Sequence, residues 1–195
     1  MSEISSQKFF WCIRGMPYNR VYLAGPDVFY PDATDRAARL KEMCQKNGLE
    51  GVFPLDSEVK LLEPFEQEDN GFLIYHANVK LIKSCWAMLA NMNPFRGPSM
   101  DVGTAFEIGY GRALELHVVG YTESKTEYKT RVKEDGMLIE NFGMVDNLMV
   151  HAAVCGDIFE HAEEAIEYLG KLFTDGEPTK PIDRRSFSAL MLLDT

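Results

Sequence analysis

Several features are scarce in this sequence, and each scarcity removes a class of function. No apolar run approaches the roughly 18 residues that a membrane span needs. The N-terminal FFWCI is shorter than the roughly 7–15-residue core of an export signal, and no small-residue cleavage site follows it. A reducing cytoplasmic setting is therefore expected. The four cysteines, Cys12, Cys44, Cys85 and Cys155, stand far apart without a CxxC pair, so they read as reduced thiols rather than disulfides. The four histidines, His76, His117, His151 and His161, show no HExxH or similar spacing. Each reads as a surface or packing residue, and no metal is expected. No GxGxxG follows the first β-rich run and no GxxxxGK[ST] occurs, so dinucleotides and triphosphates lose support and no cofactor is implied. Positive charge is also short: 20 Lys and Arg face 30 Asp and Glu, a net charge of −10, with the basic residues scattered. A nucleic-acid polymer needs clustered cations and is disfavoured. A small, neutral or weakly charged ligand fits better.

What remains fits one globular domain of 195 residues, 46% hydrophobic and 26% charged, without internal repeats. Residues 1–19 read as an N-terminal arm, 20–173 as the domain and 174–195 as a polar, Pro-containing linker with an apolar tail. RVYLAG (20–25), GVFPL (51–55), WAMLANM (86–92), HVVGYT (117–122) and AAVCGDIF (152–159) are five candidate strands. Between them, PDATDRAARLKEMCQKNG, FLIYHANVKLIKSC, VGTAFEIGYGRALE and EHAEEAIEYLGKLF carry apolar residues at helical spacing. Asp32 or Thr34 is available to cap the first of these helices, and Asn47-Gly48 stops it. The acidic segment from Asp56 to about Gly71 reads as a loop over a site. This alternation predicts a doubly wound, flavodoxin/Rossmann-like α/β domain: a five-stranded parallel sheet with helices on both faces. Ligands of such sheets bind beyond the carboxyl ends of the strands.

The stretch MDVGTAFEIGYGRA (100–113) carries the candidate chemistry. Asp101 falls at a loop-to-helix boundary, where an N-cap role alone would account for it. Glu107 has Gly103, Thr104, Tyr110 and Gly111 three and four residues away, mostly small, which leaves space around a carboxylate. Pattern alone leaves a solvated surface glutamate equally open. Gly103, Gly109 and Gly111 fit close helix–sheet packing.

DVGTAFEIGYGRA resembles the nucleophile motif of the nucleoside 2-deoxyribosyltransferases. VYLAGPDVFYPD, FPLDSE, ANVKLIKSCWAMLANMNPFRG and NFGMVDNLM are similar to further segments of that family in the same order, from about residue 20 to 173. The PFRG and GTAFE details stand nearest a trypanosomatid-like branch. The resemblance implies a covalent 2-deoxyribosyl ester on Glu107, with base exchange on 2′-deoxyribonucleosides and retention of configuration. Polarity at the helix end would favour the ionised nucleophile. It implies that Tyr22 hydrogen-bonds the nucleophile, that Asp101 binds a sugar hydroxyl and that Phe29 stacks on or walls the base. Glu58 would read the base edge or take its proton. Asn147 would bind the 5′-hydroxyl of a neighbouring subunit's substrate, with Met149 beside the ring, which makes the protein a homo-oligomer. The partners would be small deoxynucleosides and free nucleobases, in nucleotide salvage.

Bland roles stand beside each of these: a strand aromatic for Tyr22, a solvated loop charge for Glu58, a turn asparagine for Asn147 and a core methionine for Met149. Two departures from the family pattern stand out. Asn78 occupies a position where many relatives have an aspartate that protonates the leaving base, and an amide cannot act as a general acid. Trp86 replaces a common acidic residue and reads as packing. Two alternatives remain at this level. A deoxynucleoside or deoxynucleoside 5′-monophosphate N-glycosidase would keep the ester but let water take the sugar; Asp101 and Asn147 disfavour a phosphate dianion, unless Arg96 points inward. A non-catalytic binder on the same sheet would leave Glu107 without a purpose.

Overall fold

The computed structural model describes residues 19–56, 67–154 and 158–175. Four strands form one parallel sheet: β1 (Arg20–Ala24), β2 (Glu50–Val52), β3 (Ala87–Asn91) and β4 (His117–Tyr121), in the order β2-β1-β3-β4. The helices are α1 (Ala33–Lys46), α2 (Gln67–Lys83), α3 (Val102–Ala113), α4 (Tyr128–Arg131), α5 (Leu148–Ala153) and α6 (Ala162–Thr174). Short 3-10 turns occupy Pro26–Phe29 and Pro54–Asp56. β1 pairs with β3 from Val21↔Ala87 to Ala24↔Ala90, and with β2 on its other side. The strand order therefore reverses beside β1, and the switch point lies between β1 and β3.

Alternation along each strand sorts the core into two layers. Val21, Leu23, Leu89 and Val119 face α1 and α6, where Ala37, Cys44, Ala165, Ile166 and Leu169 close the layer. Tyr22, Met88, Ala90 and Val118 face the opposite way, toward Ile82 of α2 and Ile108 of α3. Gly111 lets α3 lie low on the sheet, because a Cβ there would stand 3.1 Å from Met88 Cε and 3.4 Å from Val118 Cγ2. Gly109, by contrast, faces open space and a Cβ on Gly103 would meet only Asp101, so the packing expectation holds for one of the three glycines.

The expected fifth strand is a correction. Asn147 caps a helix instead: its Oδ1 accepts from Met149 N at 3.0 Å, and residues 148–153 wind into α5. A side-chain cap at that point competes directly with an extended backbone. Among the described residues of the run 152–159, Phe159 makes a parallel bridge to Tyr121, with Phe159 N donating to Gly120 O at 3.0 Å. β2 also ends sooner than expected, since Pro54 lacks a ladder donor and opens a turn that Phe53 N closes onto Asp56 Oδ2 at 2.8 Å. α2 begins at Gln67, so part of the expected acidic loop is the first helical turn, where Glu68 and Asp69 suit the positive helix end. Asp32 does precede α1 but pairs with Arg36 at 2.9 Å rather than capping, while Asn47 ends the helix and Gly48 turns left-handed with φ 74°.

Trp86 is a packing residue as expected, buried with its ring 6.1 Å from Phe173 and 6.3 Å from His117. Burial pushes the His117 imidazole down to about 4, so it packs as a neutral ring. Cys44 and Cys85 are free and buried, and desolvation pushes both thiols up to about 12, which leaves them unreactive. Cys12, Cys155 and Glu58 lie outside the described residues, as do most of the expected arm and tail. Among the described residues, no helix is long and apolar enough to cross a membrane, and no cluster of His, Cys, Asp or Glu is arranged to hold a metal.

Candidate active site

The phenol of Tyr22 and the carboxylate of Glu107 meet between the sheet and α3. β1 turns Tyr22 toward the α2–α3 layer, where its ring is fully buried, and its hydroxyl donates to Glu107 Oε1 at 2.6 Å. Glu107 sits at the sixth position of α3, past the first turn. The helix-end field has faded there, so the expectation that it favours the ionised form is corrected. Burial dominates instead and pushes the Glu107 carboxyl up to about 7; the Tyr22 hydrogen bond opposes this and the Asp101 charge reinforces it. Burial, followed by the Glu107 charge, raises the Tyr22 hydroxyl far above its ordinary value. Tyr22 is therefore a permanent donor, and a carboxylate on the edge of ionisation is its acceptor.

Asp101 fills the N-cap role: Oδ2 accepts from Thr104 N at 2.9 Å and from Thr104 Oγ1 at 3.1 Å. It is thus a structural cap and a like charge to Glu107 at once. Asn78, on α2, is half-buried, and its Oδ1 is buried without a hydrogen-bond donor among the described residues. Phe29 ends the turn after β1 half-exposed and stacks on Phe95, with centroids 5.6 Å apart and planes 17° from parallel. Arg96 folds over the pair, its Cζ 4.8 Å from the Phe95 centroid and 5.3 Å from that of Phe29. Asn147 and Met149 lie at the start of α5. Besides capping α5, the Asn147 amide donates to Glu140 Oε1 at 2.7 Å, and Met149 is 71% exposed.

Two buried carboxylates escaped the sequence reading. Asp27 accepts from Asn91 Nδ2 at 2.8 Å and pairs with Arg36 at 3.1 Å. Gly25 is needed beside them, because a Cβ there would meet Asp27 Oδ2 at 2.7 Å and Asn91 Cβ at 2.8 Å. Asp146 accepts from Ser99 Oγ, from Met100 N at 3.0 Å and from Asn147 N at 2.7 Å, which ties the loop before α3 to the segment before α5. Arg131 reinforces that tie by donating to the carbonyls of Pro98, at 2.9 Å, and of Val145. Nothing local marks an aspartate as buried, although the Gly-Pro-Asp run after β1 was a signal of tight turning.

A parallel sheet whose strand order reverses beside β1, with a tyrosine-held carboxylate on the helix after β3, defines a doubly wound α/β domain. The family model described as nucleoside 2-deoxyribosyltransferase matches residues 21–149. The chain belongs to that family. It is similar in structure to a 2-deoxyribosyltransferase from Leishmania mexicana, with a TM-score of 0.67 and 29% identity over 80% of this chain and 98% of that one. A 2-deoxyribosyltransferase from Bacillus psychrosaccharolyticus shares the fold, with a TM-score of 0.56 and 19% identity over 83% of this chain and 98% of that one. An uncharacterised protein of Schizosaccharomyces pombe is 28% identical over 160 residues, covering 69% of this chain and 76% of its own.

Proposed function

We propose that this chain exchanges bases on 2′-deoxyribonucleosides through a 2-deoxyribosyl ester of Glu107, as a cytoplasmic salvage enzyme. The 2.6 Å Tyr22–Glu107 bond carries the reading. It occupies Oε1 and fixes the carboxylate, which leaves Oε2 to attack C1′. The C1′–O bond forms from an Oε2 lone pair while the C1′–N pair departs with the base. A second base then attacks from the face the first one left, so two inversions give retention. A deoxyribosyl centre lacks the electron-withdrawing 2′-hydroxyl, so its cationic transition state is within reach of a carboxylate alone.

Asp101 binds a sugar hydroxyl with the face its capping bonds leave open, and Phe29 walls the base. Glu58 reads the base edge. Asn78 positions the base with its buried amide and does not protonate it. Asn147 and Met149 complete the pocket of a second copy, with Glu140 holding Asn147 until the copies meet. An apolar surface supports that assembly: Phe72, Leu73, Ile74 and Tyr75 of α2 and Val102 and Phe106 of α3 are all more than a third exposed.

The test is product analysis with one deoxynucleoside, with and without a second free base. New deoxynucleoside that forms only with the acceptor, together with added deoxyribosyl mass on the Glu107 peptide, is the expected result. Base release at equal rates without acceptor would instead assign hydrolysis. Mass on another peptide would overturn the role of Glu107.

A further inference from the structure

Arg96 is held in an unusual state. Its backbone has φ 56°, a left-handed conformation that disfavours a side chain, although Gly97 stands next to it and would adopt that shape freely. The other non-glycine residue of this kind among those described, Glu115, follows the last turn of α3, where a left-handed residue ends a helix. Arg96 ends no helix. The loop is closed around it by Phe95 N donating to Ser99 O at 2.9 Å, and Ser99 is in turn anchored on Asp146.

Its charge also finds no acid among the described residues. Arg36 covers a ring as well, that of Tyr30 at 3.9 Å, but is neutralised by Asp27 and Asp32. Arg96 makes no ion pair among the described residues. It rests on the Phe29–Phe95 stack, at the carboxyl ends of β1 and β3 where their order reverses. An aromatic surface beside a guanidinium with no ion-pair partner among the described residues suits a flat ring that carries an acceptor on its edge.

We propose that Arg96, carried on the Phe29–Phe95 stack, recognises the carbonyl edge of the nucleobase and selects oxo-substituted over amino-substituted bases. This rests on the base-exchange reading above and adds a specificity residue to it. A guanidinium only donates. It pairs with a ring carbonyl, whereas an exocyclic amino group presents donors to donors. The same contact serves the chemistry. As the C1′–O bond to Glu107 forms, the C1′–N electron pair and one negative charge pass to the base. On an oxo base that charge spreads onto the carbonyl oxygen opposite Arg96, and the departing anion then takes its proton from water. When the second base enters, it loses the corresponding proton to water. Arg96 thus supplies by electrostatics what the amide of Asn78 cannot supply by proton transfer.

The test compares hypoxanthine with adenine, and uracil with cytosine, as acceptors for one deoxynucleoside donor and as free ligands in calorimetry. The wild-type chain should favour the oxo member of at least one pair by about 10- to 100-fold in both kcat/KM and Kd. Arg96→Met, which keeps an apolar stem on the rings, should level that ratio, and Arg96→Lys should restore part of it. No preference in the wild type, or one that survives in Arg96→Met, overturns the proposal. So does a loss of 5′-monophosphate binding in Arg96→Met with the base ratio intact. Exchange with an Arg96-independent ratio leaves base exchange standing and removes this role. Arg96-dependent binding without any exchange does the reverse, and binding of no base removes both.

Discussion

The two faces of the sheet differ in what they leave unfinished. On the side covered by α1 and α6, Ile166, Leu169, Leu23 and Val119 are sealed, and even Trp86 and His117 pack as neutral rings. On the side covered by α2 and α3, the same strands present Tyr22 to an ionisable partner, and the helices above carry exposed Phe72, Tyr75 and Phe106. One face is closed by α1 and α6, whereas the other holds a half-buried carboxylate and apolar rings in water. Both layers are packed, but the proposed chemistry falls on the second of them alone.

Substitutions should separate the two. Glu107→Gln should lower kcat by on the order of 10³-fold or more, as loss of a nucleophile does, with unchanged circular dichroism. Leu169→Ala on the closed face should cost about 2–5 kcal/mol in urea unfolding, while kcat per folded molecule stays near wild type. A large kcat loss there would break the division. Tyr22→Phe should lower kcat by roughly 10- to 100-fold, the worth of a hydrogen bond to a charged group. It should also move the acid limb of the pH–rate profile above 7, because the lost bond favours the ionised form.

The pH dependence of stability sharpens the comparison further. The Glu107 carboxyl is pushed up to about 7 from 4.5, so the folded state holds its proton more tightly than the unfolded chain. That preference contributes stability below about 4.5 and loses it as pH rises through 7. Glu107→Gln should therefore melt a few degrees above wild type at pH 8, at about 2–4 °C per kcal/mol for a chain of this size, and the gap should close in acid. The smallest shift of the acid limb belongs to Asp101→Asn. It keeps a capping oxygen but removes a like charge, so the acid limb should shift below 7 by a fraction of a unit in the pH–rate profile.

The parallel architecture was legible because the four strands are short β-rich runs, and each of the four long helices repeats its apolar residues. The fifth run misled for a local reason: β-branched and apolar content suggested extension, but Asn147 starts a helix ahead of it. Tyr22 and Glu107 were legible only through a motif resemblance, since they are 85 residues apart and no period links them. The direction of the Glu107 shift was not legible, because distance from the helix end was visible in the sequence and burial was not. Asp27, Asp146 and Arg131 were missed because long-range partners decide their roles. Arg96 was noticed as a charge, but its left-handed backbone and aromatic seat are three-dimensional facts.

The bond from Asp146 to Ser99 and Met100 closes residues 99–146 into a ring. Inside that ring lie α3, β4 and the long polar stretch after it. With the ring pinned at its base, the stretch can gain or lose residues for an entropic change of only about (3/2)RT ln n, and the entry to α3 need not move. Length variation in this lineage should therefore accumulate between residues 132 and 139, clear of Arg131 and Glu140, while the aspartate that fastens the ring is kept.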